Sequence, residues 1–504
     1  MKITMLLVWI IIIPFIGSII CWHSQYLNKN IPKWLALFIN IILIILSIKI
    51  YQHINFNQKS FLINKIPVWD IEFCTKWINR FNINIHFAVD QLSSLMILLT
   101  NLLGIITIII SWNNINKYPG LFYFNIILII TSTIGILLSI DMILFLFFWE
   151  LISVPIFILI IVWGDKNIKK RIQNAINFFI YTQISGIILL CSIIMLSYIN
   201  YKNTDIWSFN YNTLLKVHMS KITENILMLG FLVSFLIKAP IIPIHKWMID
   251  THISNPTNST VDIIGFLLKI PLYGILRFNI SLFHEAMSNF STIISYLLIV
   301  SMFYSSLMAL AQKNLKKLIT YNLIMHTKFV LIAICNINKF IYPGIIIYII
   351  SNILSTLALF ILCKQIHEHL STFNIEKMGG LWKEKKIFPI ITLFFILANI
   401  GLPGTGNFIG EIIILLGIFK KSLIISILMS LNLLFSSIYS LIILQKIFYG
   451  KKKKLIKVQK INFKILSINI FLIITTLLIG LYPEIILKEI KYKTNNINYY
   501  IENK

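Results

Sequence analysis

The sequence predicts an all-α polytopic membrane protein of about fourteen transmembrane helices. Three observations predict it. The 504 residues are 58% hydrophobic and only 12% charged, with mean hydropathy +0.85, a balance unlike that of water-soluble domains. Apolar runs of roughly twenty residues, the length that crosses a hydrocarbon core at about 1.5 Å per residue, recur from end to end. The cations behind the net charge of +26 cluster in short loops between those runs. There they record topology and attract anionic lipid rather than mark a nucleic-acid surface.

The runs fall near 4–21, 33–51, 90–111, 119–139, 141–163, 173–199 and 226–247, then near 257–279, 291–311, 318–336, 340–363, 387–419, 421–446 and 464–483. Lys2 followed by an apolar run resembles a signal peptide, but Cys21-Trp22-His23 makes a poor cleavage site, so a retained first helix is expected. The loops richest in cations, 166–171, 313–317, 364–386 and 446–460, follow spans five, nine, eleven and thirteen. All four then lie on one side. The positive-inside rule makes that side cytoplasmic and puts both termini outside, although 52–87 and 200–223 also carry lysines.

Two spans read as interrupted. Lys238 sits nine residues before Trp247, too deep in the seventh span to snorkel out. A charge at that depth costs about 2.5–3.5 kcal/mol on insertion scales. Pro240 and Pro243 follow at once, and neither offers an N–H to the carbonyl four residues back, those of Leu236 and Ala239. The twelfth run, 387–419, is too long for one straight helix, and Gly401-Leu402-Pro403-Gly404-Thr405-Gly406 does not propagate one. Interrupted spans five apart are what two structural repeats produce. The expected organisation is three N-terminal spans in 1–118, a first repeat in 119–280 (spans four to eight), a second in 290–447 (spans nine to thirteen), and a last span with its tail in 448–504.

Titratable residues mark these spans. Glu150, mid-span in the fifth run, stays protonated when isolated, whereas a nearby Lys238 lets both ionise. The bland alternative is a neutral acid bonded within the bundle. Lys269 shares its run with Asp262 and Pro271. Without a close carboxylate it suits a proton relay, while pairing with Asp262, seven residues away on the same face, makes it structural. His326 titrates near neutrality and suits a bridge between the halves, or is a satisfied core histidine. Glu411 couples a mid-span acid to the second interruption. His245, Trp247, Asp250 and His252 form either a proton entrance or an ordinary interfacial loop. The five cysteines, Cys21, Cys74, Cys191, Cys335 and Cys363, show no CxxC spacing. No disulfide framework, iron–sulfur pattern, zinc site, dinucleotide fingerprint or phosphate loop is read, so if the chain belongs to a redox machine it is not expected to be the part that carries electrons.

The blocks FFWELISVPIFILI, NAINFFIYTQISGIILL, IKAPIIPIHKWMIDTH, LLKIPLYGILRF, LKKLITYNLIMH and LPGTGNFIGE closely resemble the antiporter-like, proton-translocating subunits of respiratory complex I, the NADH-quinone oxidoreductase. The likeness runs from VDQLSSL near Asp90 to Gly480-Leu481-Tyr482-Pro483. It implies two inverted five-helix repeats with helices seven and twelve broken. It also implies one proton channel driven by quinone reduction elsewhere in the complex. In that pattern Glu150 and Lys238 are the coupled pair, Lys269 and His326 the central relay, and Glu411 the outlet. The resemblance implies an enzyme subunit with no cofactor of its own, NADH, FMN, iron–sulfur clusters and quinone belonging to partner subunits. Its partners are then other membrane subunits, paralogous antiporter-like ones included, and the lipid of a bacterial inner membrane.

The chain departs from the family's pattern in places. Ser351-Asn352-Ile353 stands where a Ser-His-Gly step is usual, Lys328 replaces a glycine, and Asn314 an acidic residue. Ile249 and Asn255 replace a proline and a small residue. The changes at 249, 255, 314 and 328 read as relaxed surfaces around a retained charged axis. Two other classes compete: a subunit of a multisubunit sodium/proton antiporter, and a scaffold whose buried charges only hold partners. Chain length, no long C-terminal lateral helix, and a glutamate rather than a lysine on the twelfth helix favour one member of the complex I set over its paralogues.

Overall fold

The computed structural model describes residues 3–56, 69–113, 115–164, 167–254, 269–384, 387–449, 463–484 and 487. The chain begins with α1 (Thr4–Ser24) and α2 (Ile31–Phe56), then a hairpin of β1 (Ile71–Ile78) and β2 (Ile83–Val89). There follow α3 (Gln91–Ser111), α4 (Pro119–Leu138), α5 (Met142–Leu151), α6 (Ser153–Trp163), α7 (Ile168–Thr204), α8 (Lys221–Lys238) and α9 (Lys246–Ser254). The rest comprises α10 (Ile270–Leu282), α11 (His284–Ala311), α12 (Leu315–Cys335), α13 (Ile341–Leu370), α14 (Ile387–Ile400), α15 (Gly406–Phe419), α16 (Leu423–Leu444) and α17 (Phe463–Leu481).

Among the described residues eleven helical runs are long and apolar enough to cross a membrane, α5 and α6 together forming one of them. The expected seventh and twelfth spans are each divided into shorter helices, and of the eighth only the part from Lys269 is described. Helix α8 stops at Lys238 and α9 resumes at Lys246, because Pro240 and Pro243 lack the donors that would continue the ladder. Helix α14 ends at Ile400 and α15 begins at Gly406. Between them Gly401 and Gly404 take φ of 97° and 91°, left-handed values that glycine adopts without steric cost. Helix α10 carries a π-turn over Ile275–Asn279. The start expected for it at 257, and Asp262 with it, lies outside the described residues.

The chain divides into two compact units. One holds the residues up to Lys238 together with Ser254–Asn289; the other holds Ala239–Ile253 and the chain from Phe290. In the first, α1 packs on α2 and α4, and α7 on α8. In the second, α13 packs on α12, α14 and α15. The apolar windows of α12 and α13 are wholly enclosed, whereas α1, α2 and α17 expose most of theirs. Side chains such as Trp34, Phe38, Ile187, Leu297 and Leu434 point outward, as a surface against lipid or another apolar helix requires.

The hairpin corrects the expectation of a plain loop over 52–87. IEFCTKWI and INIHFAV are rich in β-branched and aromatic residues, and Asn82 at φ 51° supplies the left-handed turn residue. The strands pair antiparallel, Cys74 opposite His86. The Cys74 thiol is raised above its usual value by partial burial and then by the Glu72 and Asp141 carboxylates, which keeps it neutral. Among the described residues no disulfide joins any of the five cysteines.

Around the hairpin lies a polar cluster. His86 Nε2 meets Glu72 Oε1 at 2.6 Å and His86 Nδ1 meets Asn210 Nδ2 at 2.8 Å. Asp141 caps α5 by accepting from the Ile143 and Leu144 N–H groups, and its other oxygen accepts from Asn84 N at 3.2 Å. Asp90 caps α3 reciprocally with Ser93 and pairs with Arg277 Nη2 at 2.5 Å. Asp90 is buried and the Arg277 side chain is only 11% exposed, and removing one partner of a buried pair costs about 3–5 kcal/mol. Arg277→Met is therefore expected to lower the thermal stability of the detergent-solubilised protein by that order. A melting temperature equal to wild type would remove the pair from the fold's main supports.

Candidate functional site

In the first unit Glu150 ends the first turns of the α5–α6 run, and Lys238 is the last residue of α8. The Lys238 ammonium donates to the Trp149 carbonyl at 2.6 Å and lies over the Trp149 ring, 3.9 Å from its centroid. Its charge is thus met by a main-chain dipole and a π-face one residue from Glu150, and the two ionisable groups lie near enough to interact electrostatically. Trp149, Phe145 and Phe235 form an apolar wall, with ring centroids 5.3–6.4 Å apart.

The Glu150 carboxylate has its own cradle on α7. Its Oε2 accepts from Gln183 Nε2 at 2.6 Å, while Oε1 is buried with no hydrogen-bond partner among the described residues. A Cβ added at Gly186 would collide with that oxygen. Gln183 and Gly186 were not singled out from the sequence, although both lie in the NAINFFIYTQISGIILL block. Their signal is the three-residue step that puts them on one face of α7. Lys269, 3% exposed, immediately precedes α10, and its carbonyl accepts from Tyr273 N at 3.2 Å.

In the second unit His326 and Glu411 are brought together by a residue that sequence reading missed. Tyr348 on α13 lies 2.5 Å by its Oη from His326 Nδ1 on α12, and donates to Glu411 Oε1 on α15 at 3.3 Å. All three are buried, Glu411 to 5% exposure. The other carboxylate oxygen faces Gly401, where a Cβ would collide with it. Gly401 therefore serves twice, for its left-handed φ and for the room it leaves. Gly410 does similar work next door: an added Cβ would approach Tyr348 Cβ to 2.6 Å, so helices α13 and α15 meet through a glycine.

Asn352 joins a neutral network. Its Nδ2 donates to Asn399 Oδ1 at 3.4 Å, which also accepts from Ser355 Oγ at 3.3 Å, and Asn407 Nδ2 donates to Ser355 Oγ at 3.0 Å. His245 is buried near the rings of Tyr304 and Tyr321, at 5.5 and 6.3 Å. His252 packs 5.3 Å from the Phe360 ring, with neither ring nitrogen hydrogen-bonded among the described residues. Trp247 is buried beside them on α9, and Asp250 is half-buried.

The expectation of relaxed surfaces at the departing positions is corrected. Ile249 is buried, and Lys328 is 0% exposed. Residues 318–335 of α12 are all buried, Lys328 among them. The Lys328 ammonium donates to the Ala239 carbonyl, the acceptor that Pro243 leaves without a helical N–H. Asn314 caps α12 by accepting from the Lys316 and Lys317 N–H groups, so the loss of an acid there keeps the cap. Asn255 lies outside the described residues.

The fold and these arrays define a polytopic membrane protein with titratable side chains held inside its helical core. Residues 139–436 match the family model described as NADH:quinone oxidoreductase/Mrp antiporter, TM, and the chain belongs to this family. It is 41% identical over 504 residues to NADH-quinone oxidoreductase subunit M of Escherichia coli K12, covering 99% of both chains. It is 44% identical over 485 residues to subunit M of Buchnera aphidicola from Schizaphis graminum, covering 96% of each. Its fold is like that of a chain of respiratory complex I from Thermus thermophilus, with TM-score 0.83 at 19% identity, over 97% of this chain and 98% of that one.

Lys328→Met keeps the bulk of the side chain but leaves the Ala239 carbonyl without its donor. It is expected to cost about 1–3 kcal/mol, read as a lower melting temperature in detergent. Unchanged melting would show that the carbonyl finds another donor.

Proposed function

We propose that this chain is a proton-translocating membrane subunit of an NADH-quinone oxidoreductase, moving protons along its buried residues as quinone is reduced in other subunits. The reading rests on full-length identity to the subunit M relatives. The observation that carries its chemistry is the buried chain from His326 through Tyr348 to Glu411. Glu150 and Lys238 supply the companion pair of the first unit, with Lys269 as a further proton carrier. The same relatives favour this reading over the sodium/proton antiporter that the family description also covers.

With it come finer assignments. The chain crosses a bacterial inner membrane with both termini on the outer side, the side opposite its cation-rich loops. Residues 119–280 and 290–447 form two inverted repeats whose interruptions lie at 239–245 and 401–405. The chain carries no redox centre; NADH, FMN, iron–sulfur clusters and quinone are held by partner subunits. Its neighbours are other membrane subunits, including antiporter-like paralogues.

The test is proton translocation by the assembled complex in vesicles. Lys238→Ala should abolish pumping while the complex still assembles, and Lys238→Arg should fail too, because a guanidinium does not release its proton. Near-normal pumping in either would end the reading. Glu150→Gln should also impair pumping strongly; if it is harmless, the pair is only structural.

The Glu411 series separates a proton carrier from a scaffold. Glu411→Asp keeps a titratable group and should retain substantial pumping. Glu411→Gln is isosteric and still hydrogen-bonds, yet should pump little. A Gln variant equal to wild type would take Glu411 out of the path.

A further inference from the structure

The resemblance expects a histidine at position 352, and the chain has Asn352. An amide neither accepts nor releases a proton near neutral pH, and this one is engaged with Asn399 in a network of amides and hydroxyls. One helical turn earlier on α13, four residues away and on the same face, stands Tyr348. Its hydroxyl is the group that joins His326 to Glu411.

We propose that Tyr348 is a proton-relay residue between His326 and Glu411, and that in this chain it stands in for the histidine that the resemblance places at 352. The proposal rests on the proton-translocating reading above. A phenol hydroxyl has one hydrogen to give and lone pairs to receive. When it donates to Glu411 Oε1, His326 Nδ1 must be the N–H donor of the 2.5 Å contact.

The step then balances. The imidazolium of His326 passes its Nδ1 proton to Oη as Oη passes its own to the Glu411 carboxylate. Histidine ends neutral, glutamate protonated, and tyrosine unchanged with its hydrogen exchanged. Rotation about the C–O bond restores the starting orientation once Glu411 has released its proton.

The position is built for this task. Tyr348 is fully buried, its ring lies 5.2 Å from that of Phe329 on α12, and its main chain is pressed against Gly410, the residue before Glu411. The hydroxyl is thus held by three helices and does not depend on a flexible side chain for its reach.

The experiment uses vesicles carrying the whole complex and compares proton translocation per NADH oxidised, normalised to assembled complex. Tyr348→Phe keeps the ring packing and removes only the hydroxyl. It is expected to lose at least tenfold in translocation. Tyr348→Phe combined with Asn352→His, which restores the histidine that the family places there, is expected to recover to at least half of wild type. A merely structural role for the hydroxyl predicts no such recovery.

Translocation by Tyr348→Phe within twofold of wild type overturns the relay. A double variant no better than the single one overturns the exchange of roles with position 352. Lys238→Ala, run alongside, separates the two layers of the argument. If that variant pumps normally, the translocating reading itself fails; if it stops pumping while Tyr348→Phe does not slow, only the relay assignment falls.

Discussion

A polar main chain and charged side chains must be satisfied where no water helps. In hydrocarbon an unpaired N–H or C=O costs several kcal/mol, and an isolated charge at mid-depth costs about 2.5–3.5 kcal/mol on insertion scales. Where helix α8 stops beside the prolines, other residues are recruited to meet this demand. Pro243 leaves the Ala239 carbonyl without a helical partner, and Lys328 supplies an ammonium to it. Lys238, at the end of α8, rests on the Trp149 carbonyl and ring. Gln183 holds one oxygen of Glu150 and Tyr348 one oxygen of Glu411.

Glycine makes these partnerships sterically possible. Among apolar helices in an apolar solvent, close approach of backbones is what drives association. Here it also sets how near a carboxylate can lie to a helix axis. Gly186 on α7 admits Glu150, Gly401 admits Glu411, and Gly410 admits the main chain of Tyr348. The two acids sit alike: each has one oxygen hydrogen-bonded and the other against a glycine. A bonded oxygen fixes the carboxylate's orientation, and the glycine gives the other oxygen the room that a Cβ would take.

Much of the architecture was legible in the chain alone. Among the described residues the uninterrupted apolar runs reappear as helices, with ends displaced by a few residues, because helix formation in a bilayer depends on local hydrophobicity and length. The interruptions were legible because proline and glycine act locally, and the candidate acids and bases because a charge inside an apolar run is conspicuous by composition. The β-hairpin was less visible. Its alternation over Ile83–Val89 is short, and it lies outside the spans, where hydropathy carries no message.

The sequence by itself determined which segments are helical, where two of them break, and which titratable residues lie within them. Only the tertiary structure decided which groups those residues meet. Tyr348 lies 22 residues from His326 and 63 from Glu411, and Lys328 lies 89 from Ala239. No periodicity within one helix encodes such meetings, since they depend on which faces of α12, α13 and α15 pack together. For the same reason Lys328, read along the chain as a surface change, proves to be an interior donor.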